Sequence, residues 1–237
     1  MSQRKNTFAA GEFFHLYNRG NSKQVIFHDV SDYLRFQQLL FVANGTNSID
    51  FRRIKKDDVF DFERGEQLVS IGAYCLMPNH FHLLVSPLSD DGLSRFMQKV
   101  STGYSMYFNK KYDRTGSLFE GKFKSQHANS DEYLKYLFSY IHLNPIKLIQ
   151  SDWKEKGIAD VSSAVKYLES YKYSSFQDYN VISESTYEGK AFVNSKGRKE
   201  GSIVSKNVFP NYFETPEIFR KEILEWITFN RFAVSDT

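Results

Sequence analysis

The chain has 237 residues, with 31 Lys or Arg against 28 Asp or Glu, so its formal net charge is +3. That length fits one large domain, or a domain of roughly 150 residues with an appended region. The charge balance is too mild to identify a nucleic-acid-binding protein by itself, and a single cysteine excludes an internal disulfide. The sequence shows no apolar run typical of a signal peptide or a membrane span, so we expect a cytoplasmic protein without a membrane partner.

Apolar periodicity predicts alternating element types over the first 150 residues. Strand patterns cover residues 13–20, 67–76, 80–88 and 122–128. Helical spacing covers residues 31–43, 93–108 and 131–144. Pro78 and Asn79 mark a turn between the second and third strands, which predicts an antiparallel hairpin. Ser130 is a helix N-cap, and Pro145 ends that helix.

This order of elements is typical of an α+β protein, here a ferredoxin-like antiparallel sheet with helices on one face. Charged residues dominate 52–66, which we interpret as a solvated loop. Beyond residue 150 the pattern weakens, with helices at 161–172 and 215–229 on either side of a polar stretch at 184–207. The sequence therefore predicts a domain of residues 1–150 and a mostly helical C-terminal accessory region, residues 151–237.

Two histidines, His80 and His82, lie one residue apart in an otherwise apolar strand. Side chains alternate along a strand, so both imidazoles project from one face, an arrangement that suits metal ligands. The alternative is a pair of half-buried histidines bonded to backbone carbonyls. Leu84 and Val85 exclude the HxHxDH motif of a zinc amidohydrolase, a two-histidine phosphoesterase would need a second copy of its motif, and one cysteine cannot supply a structural zinc site.

A third ligand has to come from another element, and the helix that ends in SYIHLNPIK is the best donor. Tyr140 and Asn144 are four residues apart and share a helix face, which places a phenol beside an amide oxygen. Two imidazoles and an amide oxygen suit Mg²⁺ or Mn²⁺ bound to a substrate phosphate, with the phenol as nucleophile. From helix spacing alone, packing on the sheet is the better explanation of Tyr140, which is one of 15 tyrosines.

The segments MPNHFHLLV, GSLFEGKFKS and DEYLKYLFSYIHLNPIK, in this order, resemble the REP-associated tyrosine transposases, a branch of the single-tyrosine HUH transposases. The resemblance covers about residues 13–149, and YKYSSFQDY at 171–179 is similar to a motif that members carry after the catalytic helix. By this resemblance residues 1–150 form the catalytic domain. It also implies that the two histidines of the HUH motif and the polar residue after the nucleophile bind the metal.

The resemblance implies these roles: His80 and His82 as HUH histidines, Tyr140 as nucleophile and Asn144 as the residue that completes the metal site. The implied reaction is a transesterification on single-stranded or hairpin DNA, assisted by Mg²⁺ or Mn²⁺. The phenol attacks phosphorus, forms a 5′-phosphotyrosine and leaves a 3′-hydroxyl, which can later reverse the attack and join strands. The sequence offers no convincing base for the phenol, because His142 faces away from it. The protein is expected to be a monomer or a homodimer.

A basic track leads toward the catalytic helix. Residues 95–124 hold seven Lys or Arg and two Asp or Glu, a local net charge of +5. Basic and aromatic side chains that alternate in this way suit DNA phosphates and stacked bases, although a solvated loop has a similar composition. The predicted DNA-binding residues are Arg19, Arg114, Lys122, Lys124, Phe119 and Phe123.

Two alternatives remain open at this point. The first is a catalytically inactive relative that binds hairpin DNA or RNA through the same fold. The second is a metal-dependent phosphodiesterase in which water attacks and Tyr140 only packs. A covalent protein–DNA adduct distinguishes both from the transposase.

Overall fold

The computed structural model describes residues 8–179, 198–210, 212 and 215–228. The strands are β1 Phe14–Arg19, β2 Val69–Met77, β3 His80–Pro87 and β4 Lys124–His127. The helices are α1 Val30–Val42, α2 Gly92–Lys111, α3 Asp131–Leu143, α4 Trp153–Lys156, α5 Val161–Ser170, α6 Phe176–Tyr179 and α7 Pro216–Thr228. The order β1-α1-β2-β3-α2-β4 is the ferredoxin-like succession.

The four strands form one sheet in the order β2-β3-β1-β4, and all neighbours are antiparallel. The predicted α+β class with an antiparallel sheet is therefore confirmed, as is the β2–β3 hairpin around Pro78 and Asn79. In this register His82 lies opposite Tyr17 on β1 and Cys75 on β2. Residues that lie opposite each other project from the same face, so the register defines what surrounds each histidine.

Helices cover both faces of the sheet. On one face α1 and α2 pack against strand residues that include Leu16, Phe81 and Leu83. On the other face α3 packs against Ala73 and Leu84 and the side chains around them. The predicted helices on one face are α1 and α2. The prediction is corrected for α3, which packs on the opposite face. Because both faces are covered, β2 and almost all of β3 are buried, which explains why most of their residues are apolar.

The helix termini follow the sequence signals. The Asp29 side chain accepts from the backbone N–H groups of Ser31 and Asp32 and caps α1. The Ser130 hydroxyl accepts from the N–H of Tyr133 at the start of α3, as predicted. After Leu143 the chain continues as the short 3₁₀ helix Asn144–Leu148, whose second residue is the proline that lacks a donor N–H.

The accessory region is hydrogen-bonded to the outer edge of β2. The N–H of Leu76 donates to the carbonyl of Tyr173 at 2.9 Å, and the N–H of Ser205 donates to the carbonyl of Ile71 at 2.8 Å. A Cβ at Gly72 would lie 2.7 Å from the Phe209 ring, so glycine at this position lets the accessory region approach the strand. These contacts protect a strand edge that would otherwise be open to pairing with other chains.

The two helices predicted in the accessory region correspond to α5 and α7. The predicted polar stretch at 184–207 lies outside the described residues as far as residue 197. The division at residue 150 stays a prediction. Among the described residues, no helix is long and apolar enough to cross a membrane.

Candidate active site

The two predicted histidines lie side by side at the start of β3. Their ring centroids are 5.1 Å apart and the rings are almost perpendicular. His80 is half-buried at the first position of the strand, and His82 is 7% exposed. The prediction that both imidazoles share one face of the sheet is confirmed, and that face is the one covered by α3.

A third histidine, His15 on β1, was not predicted as part of the site. Its Nε2 lies 2.9 Å from Nδ1 of His82, and the two rings are stacked with centroids 5.1 Å apart. Nδ1 of His80 lies 2.6 Å from Oδ1 of Asn79. His80 and His82 are thus both hydrogen-bonded through Nδ1. Outer hydrogen bonds of this kind orient metal-ligating histidines and leave Nε2 for coordination.

The surroundings of His82 favour its neutral form. Burial lowers the pKa of His82 well below its ordinary value, and the neighbouring His15, His80, Lys147 and Lys154 lower it further. A neutral imidazole has the lone pair that a metal needs, whereas an imidazolium cannot coordinate. The electrostatics of this pocket therefore suit a ligand histidine at neutral pH.

Tyr140 lies on α3 over strands β1 and β3. Its ring centroid is 5.5 Å from that of His82 and 5.9 Å from that of His15, in edge-to-face geometry with both. Tyr136, one turn earlier, stacks on it at 5.7 Å. Tyr140 is 9% exposed, so it does pack on the sheet, as the alternative interpretation held. It packs, however, against the histidines of the same chain.

Asn144 lies one turn after Tyr140 and is 1% exposed. Its Nδ2 donates to the carbonyl of Tyr140 at 2.8 Å, while its buried Oδ1 has no hydrogen-bond partner among the described residues. A buried amide oxygen without a partner is costly, and such atoms in native structures commonly await a water, an ion or a ligand. Asn144 therefore has the chemistry of an oxygen ligand.

The residues present fit a small divalent cation. They offer two adjacent imidazoles, of which His82 is kept neutral by burial, and a buried amide oxygen, a mixed nitrogen and oxygen set that Mg²⁺ or Mn²⁺ can share with substrate oxygens. Within the described ranges, no group of three or more His, Cys, Asp or Glu side chains is arranged to hold a metal ion. A set of two histidines and an asparagine does not require one.

His142 is placed away from this site, as predicted. It is fully buried, and its Nε2 lies 2.8 Å from the Ser175 hydroxyl on the side of α3 that meets the accessory region. Burial lowers the pKa of His142 to about 3. His142 and Tyr140 thus face different sides of α3, so His142 is not a candidate base for the phenol.

Two of the predicted DNA-binding residues lie on the histidine face. Lys124 on β4 is exposed and lies opposite Tyr17, with Nζ 6.0 Å from the centroid of the Tyr17 ring. Arg19 lies opposite His80 and forms an ion pair with Glu120, with Nη2 3.0 Å from a carboxylate oxygen. Both residues stay predicted DNA contacts.

The other four predicted DNA contacts differ in exposure. Lys122 is exposed, and Arg114 is half-buried with its guanidinium 5.6 Å from the Phe108 ring centroid. Phe123 is half-buried and stacks on Phe8. Phe119 is 5% exposed and belongs to the core under α1 and α2, so it has no free ring face for a base. The prediction of base stacking by Phe119 is wrong, because its ring packs in the hydrophobic core although its neighbours in the sequence are basic.

Comparisons with known proteins concern the family and the fold of the chain. Residues 58–144 match the profile of the family described as "Transposase IS200 like", a span that includes both strand histidines, Tyr140 and Asn144. Among solved structures, the chain is similar to a REP-associated tyrosine transposase bound to a REP hairpin, with 14% identity, a TM-score of 0.50, and coverage of 84% of this chain and 98% of that one. At this identity the likeness concerns the fold. No curated protein sequence matches the chain.

Proposed function

On the premise that residues 58–144 place this chain among the IS200-like transposases, we propose that it cleaves and rejoins single-stranded DNA with Tyr140 as the nucleophile. The proposal depends above all on one observation, the packing of the Tyr140 ring against His82 at 5.5 Å, with His80 beside it. Nucleophile and histidines come from one chain, so no second subunit is needed to bring them together.

Five side chains have distinct roles in this proposal. His80, His82 and Asn144 would hold a divalent cation, Mg²⁺ or Mn²⁺. When bound, the cation supplies Lewis-acid stabilisation of charge on a non-bridging phosphate oxygen. The hydrogen bond between Nδ1 of His82 and Nε2 of His15 keeps the His82 ring in the orientation that ligation requires. Tyr140 reaches the same phosphate from α3.

The chemistry balances without an external energy source. The phenolic oxygen of Tyr140 forms a bond to phosphorus while the bond from phosphorus to the 3′ oxygen breaks. The phenolic proton is lost and the departing 3′ oxygen gains one, so the products are a 5′-phosphotyrosine and a 3′-hydroxyl. Attack by another 3′-hydroxyl reverses these events and joins strands. A phenol has an ordinary pKa near ~10, so its deprotonation needs assistance from the site.

We propose hairpin DNA with single-stranded arms as the substrate. The basic side chains on the histidine face, Lys124 and Arg19, support a DNA strand along the β1–β4 edge of the sheet. The similar solved structure is a complex with a REP hairpin, which motivates the choice of a hairpin as the probe.

The test is covalent capture of DNA. The protein is incubated with Mn²⁺ and a labelled pool of DNA hairpins with randomised single-stranded arms, and a denaturing gel is examined for a protein–DNA adduct. We expect an adduct that disappears with EDTA and in Tyr140→Phe. Tyr136→Phe, which removes the hydroxyl of the stacked neighbour on the same helix, should retain it.

The other outcomes identify the alternatives. Cleavage without an adduct supports a metal-dependent phosphodiesterase in which water attacks. Binding without cleavage supports an inactive hairpin-binding relative. An adduct that persists in Tyr140→Phe would show that another residue is the nucleophile.

A further inference from the structure

Two lysines that follow α3 lie at the candidate active site, beyond the span 58–144 that matches the transposase family. Lys154 Nζ lies 4.4 Å from the centroid of the Tyr140 ring. Lys147 follows Asn144 by three residues in the 3₁₀ helix Asn144–Leu148, and side chains three residues apart in such a helix lie on the same side. Two cations therefore converge on the place where the phenol meets the histidines.

Buried neighbours fix the backbone that carries these lysines. Lys147 belongs to the 3₁₀ helix that continues α3, next to the fully buried Ile146. Lys154 belongs to α4, next to Trp153, which packs in the cluster formed by the end of α3, α5 and α7. Both lysine side chains are half-buried. The fold thus anchors the chain on either side of the site and directs two long cationic side chains toward it.

We propose that Lys147 and Lys154 form the phosphate-binding pair of the cleavage site and hold a backbone phosphate of a single DNA strand beside Tyr140. The inference rests on the proposed function and names a subsite for its substrate, a phosphodiester. A lysine ammonium binds phosphate as a point charge at the end of a flexible stem. Lys154 can therefore leave the Tyr140 ring face for the phosphate when a strand arrives.

The low exposure of the site explains why cations are needed there. Tyr140 is 9% and His82 7% exposed, so a phosphate that reaches them loses most of its water. A charge removed from water requires a compensating charge, and attraction between opposite charges is stronger and less screened by salt at such a position than on an open surface. Two lysines supply that compensation next to the nucleophile.

The chain offers a matched control on the same short helix. Lys156 carries the same charge two residues after Lys154, but its side chain is 75% exposed and pairs with Asp152 at 2.6 Å. Lys156→Met therefore removes one positive charge from α4 without touching the site. Lys154→Arg retains the charge and tests whether a cation, rather than the lysine stem, is required.

The experiment measures DNA affinity without cleavage. A labelled hairpin from the pool is titrated in EDTA with full-length Tyr140→Phe protein, alone and combined with Lys154→Met, Lys147→Met, Lys154→Arg or Lys156→Met, across a series of salt concentrations. We expect Lys154→Met and Lys147→Met each to weaken binding roughly tenfold. Each should also reduce the slope of log affinity against log salt by about 0.7, the value for one phosphate contact on a single strand.

Phosphate ethylation interference then locates the contact. Neutralising one phosphate of the hairpin should weaken binding to the Tyr140→Phe protein but not to the Lys154→Met combination, and that phosphate should be the one joined to tyrosine in the adduct. Affinity and salt slope equal to those of Lys156→Met would overturn the inference, as would failure of Lys154→Arg to retain binding. A lysine-dependent phosphate without any adduct would support this subsite and refute the cleavage chemistry. An adduct without lysine-dependent binding would do the reverse.

Discussion

The two faces of the sheet treat their buried polar groups in opposite ways. Under α1 and α2, the carboxylate of the fully buried Asp32 accepts hydrogen bonds from Lys111, Tyr107 and Tyr112, and the Tyr104 hydroxyl donates to a backbone carbonyl. On the α3 side, buried atoms without a hydrogen-bond partner among the described residues include Asn144 Oδ1. Among the described residues, the atoms of this kind belong to α3 or to the chain that follows it, namely to Ser139, His142, Asn144 and Trp153. Buried polar groups under α1 and α2 are thus hydrogen-bonded, whereas the α3 side includes unpaired ones, of which Asn144 Oδ1 lies at the candidate site.

The largest expected effect is on stability and comes from a substitution in the core under α1 and α2. Phe36 on α1 is fully buried and packs with ring centroids 4.9 to 5.3 Å from Phe27, Phe81 and Tyr104. Phe36→Ala should lower the free energy of unfolding by about 3–5 kcal/mol, because it leaves a cavity in a close-packed aromatic cluster. Urea denaturation followed by circular dichroism measures this loss.

The same variant should leave the chemistry of the opposite face intact. Adduct formed per folded molecule, measured at low temperature, should match that of the native chain. A loss of adduct formation in protein that is still folded would show that the α1 and α2 core controls the site, and that the two faces are not independent.

Sequence periodicity could predict each face element by element but not how the elements meet. A period of two places His80 and His82 together, and a helical turn places Tyr140 with Asn144, because both relationships are local. The partner of His82 is His15, 67 positions earlier in the chain, and its position depends on the β1–β3 register. Strand register, like the face on which α3 packs, results from pairing across the whole domain.

The basic residues show the same limit. Their charge predicts attraction to DNA, but only tertiary packing decides which of them reach the site. Lys154 lies over Tyr140 because α4 folds back onto the end of α3, a contact that no spacing in the sequence indicates. Phe119 was assigned to DNA for its basic neighbours, whereas it fills the core.

The next largest effect is electrostatic and tests the hydrogen-bonded carboxylate under α1 and α2. Asp32 is buried and accepts from Lys111 Nζ at 2.6 Å and from the Tyr112 hydroxyl at 2.7 Å. Asp32→Asn places an amide group against these donors and should cost about 1–3 kcal/mol of unfolding free energy at neutral pH. The exposed Asp90→Asn is the control and should change stability by less than about 0.5 kcal/mol.

The cost of Asp32→Asn should depend on pH with a defined sign. Burial raises the pKa of Asp32, but the hydrogen bonds from Lys111 and Tyr112 outweigh burial and leave that pKa below its ordinary value. A depressed native pKa stabilises the fold above the ordinary carboxyl pKa of about 3.9, and this stabilisation is lost as the pH falls through the native value. The difference between native chain and variant should therefore shrink below about pH 4. A difference that grows on acidification would contradict this assignment.

On the site face, the expected effect concerns ligand affinity more than stability. His15→Phe keeps an aromatic ring beside His82 but removes the 2.9 Å hydrogen bond to its Nδ1. Loss of such an outer-shell bond should weaken Mn²⁺ binding about 10–100-fold. Isothermal titration with Mn²⁺ measures this change directly.

Two further variants make the His15 result interpretable. His127→Gln removes an imidazole from β4 that bonds Glu12 at 2.7 Å and should leave Mn²⁺ affinity unchanged. His15→Gln retains a side chain that can accept from His82 and should restore part of the affinity. Equal Mn²⁺ affinity for the native chain and His15→Phe would mean that His15 only packs in this face.

The smallest expected effect tests whether the accessory region belongs to the same cooperative unit as the two faces. The Tyr171 hydroxyl donates to the carbonyl of Leu76 at 2.7 Å on the edge of β2, so Tyr171→Phe should cost about 0.5–1.5 kcal/mol. Both tryptophans, Trp153 and Trp226, follow residue 150, so their fluorescence reports the accessory region, while circular dichroism reports the whole chain.

Hydrogen bonds from the accessory region run along most of β2. Separation of the accessory region from the sheet would therefore expose the edge of β2 and apolar side chains between α3 and the sheet. We therefore expect the fluorescence and circular dichroism transitions to coincide, and Tyr171→Phe to shift both equally. If the fluorescence transition alone moved to lower denaturant, residues 151–237 would be an independent unit. The lysine that α4 brings to Tyr140 would then be present only while that unit is docked.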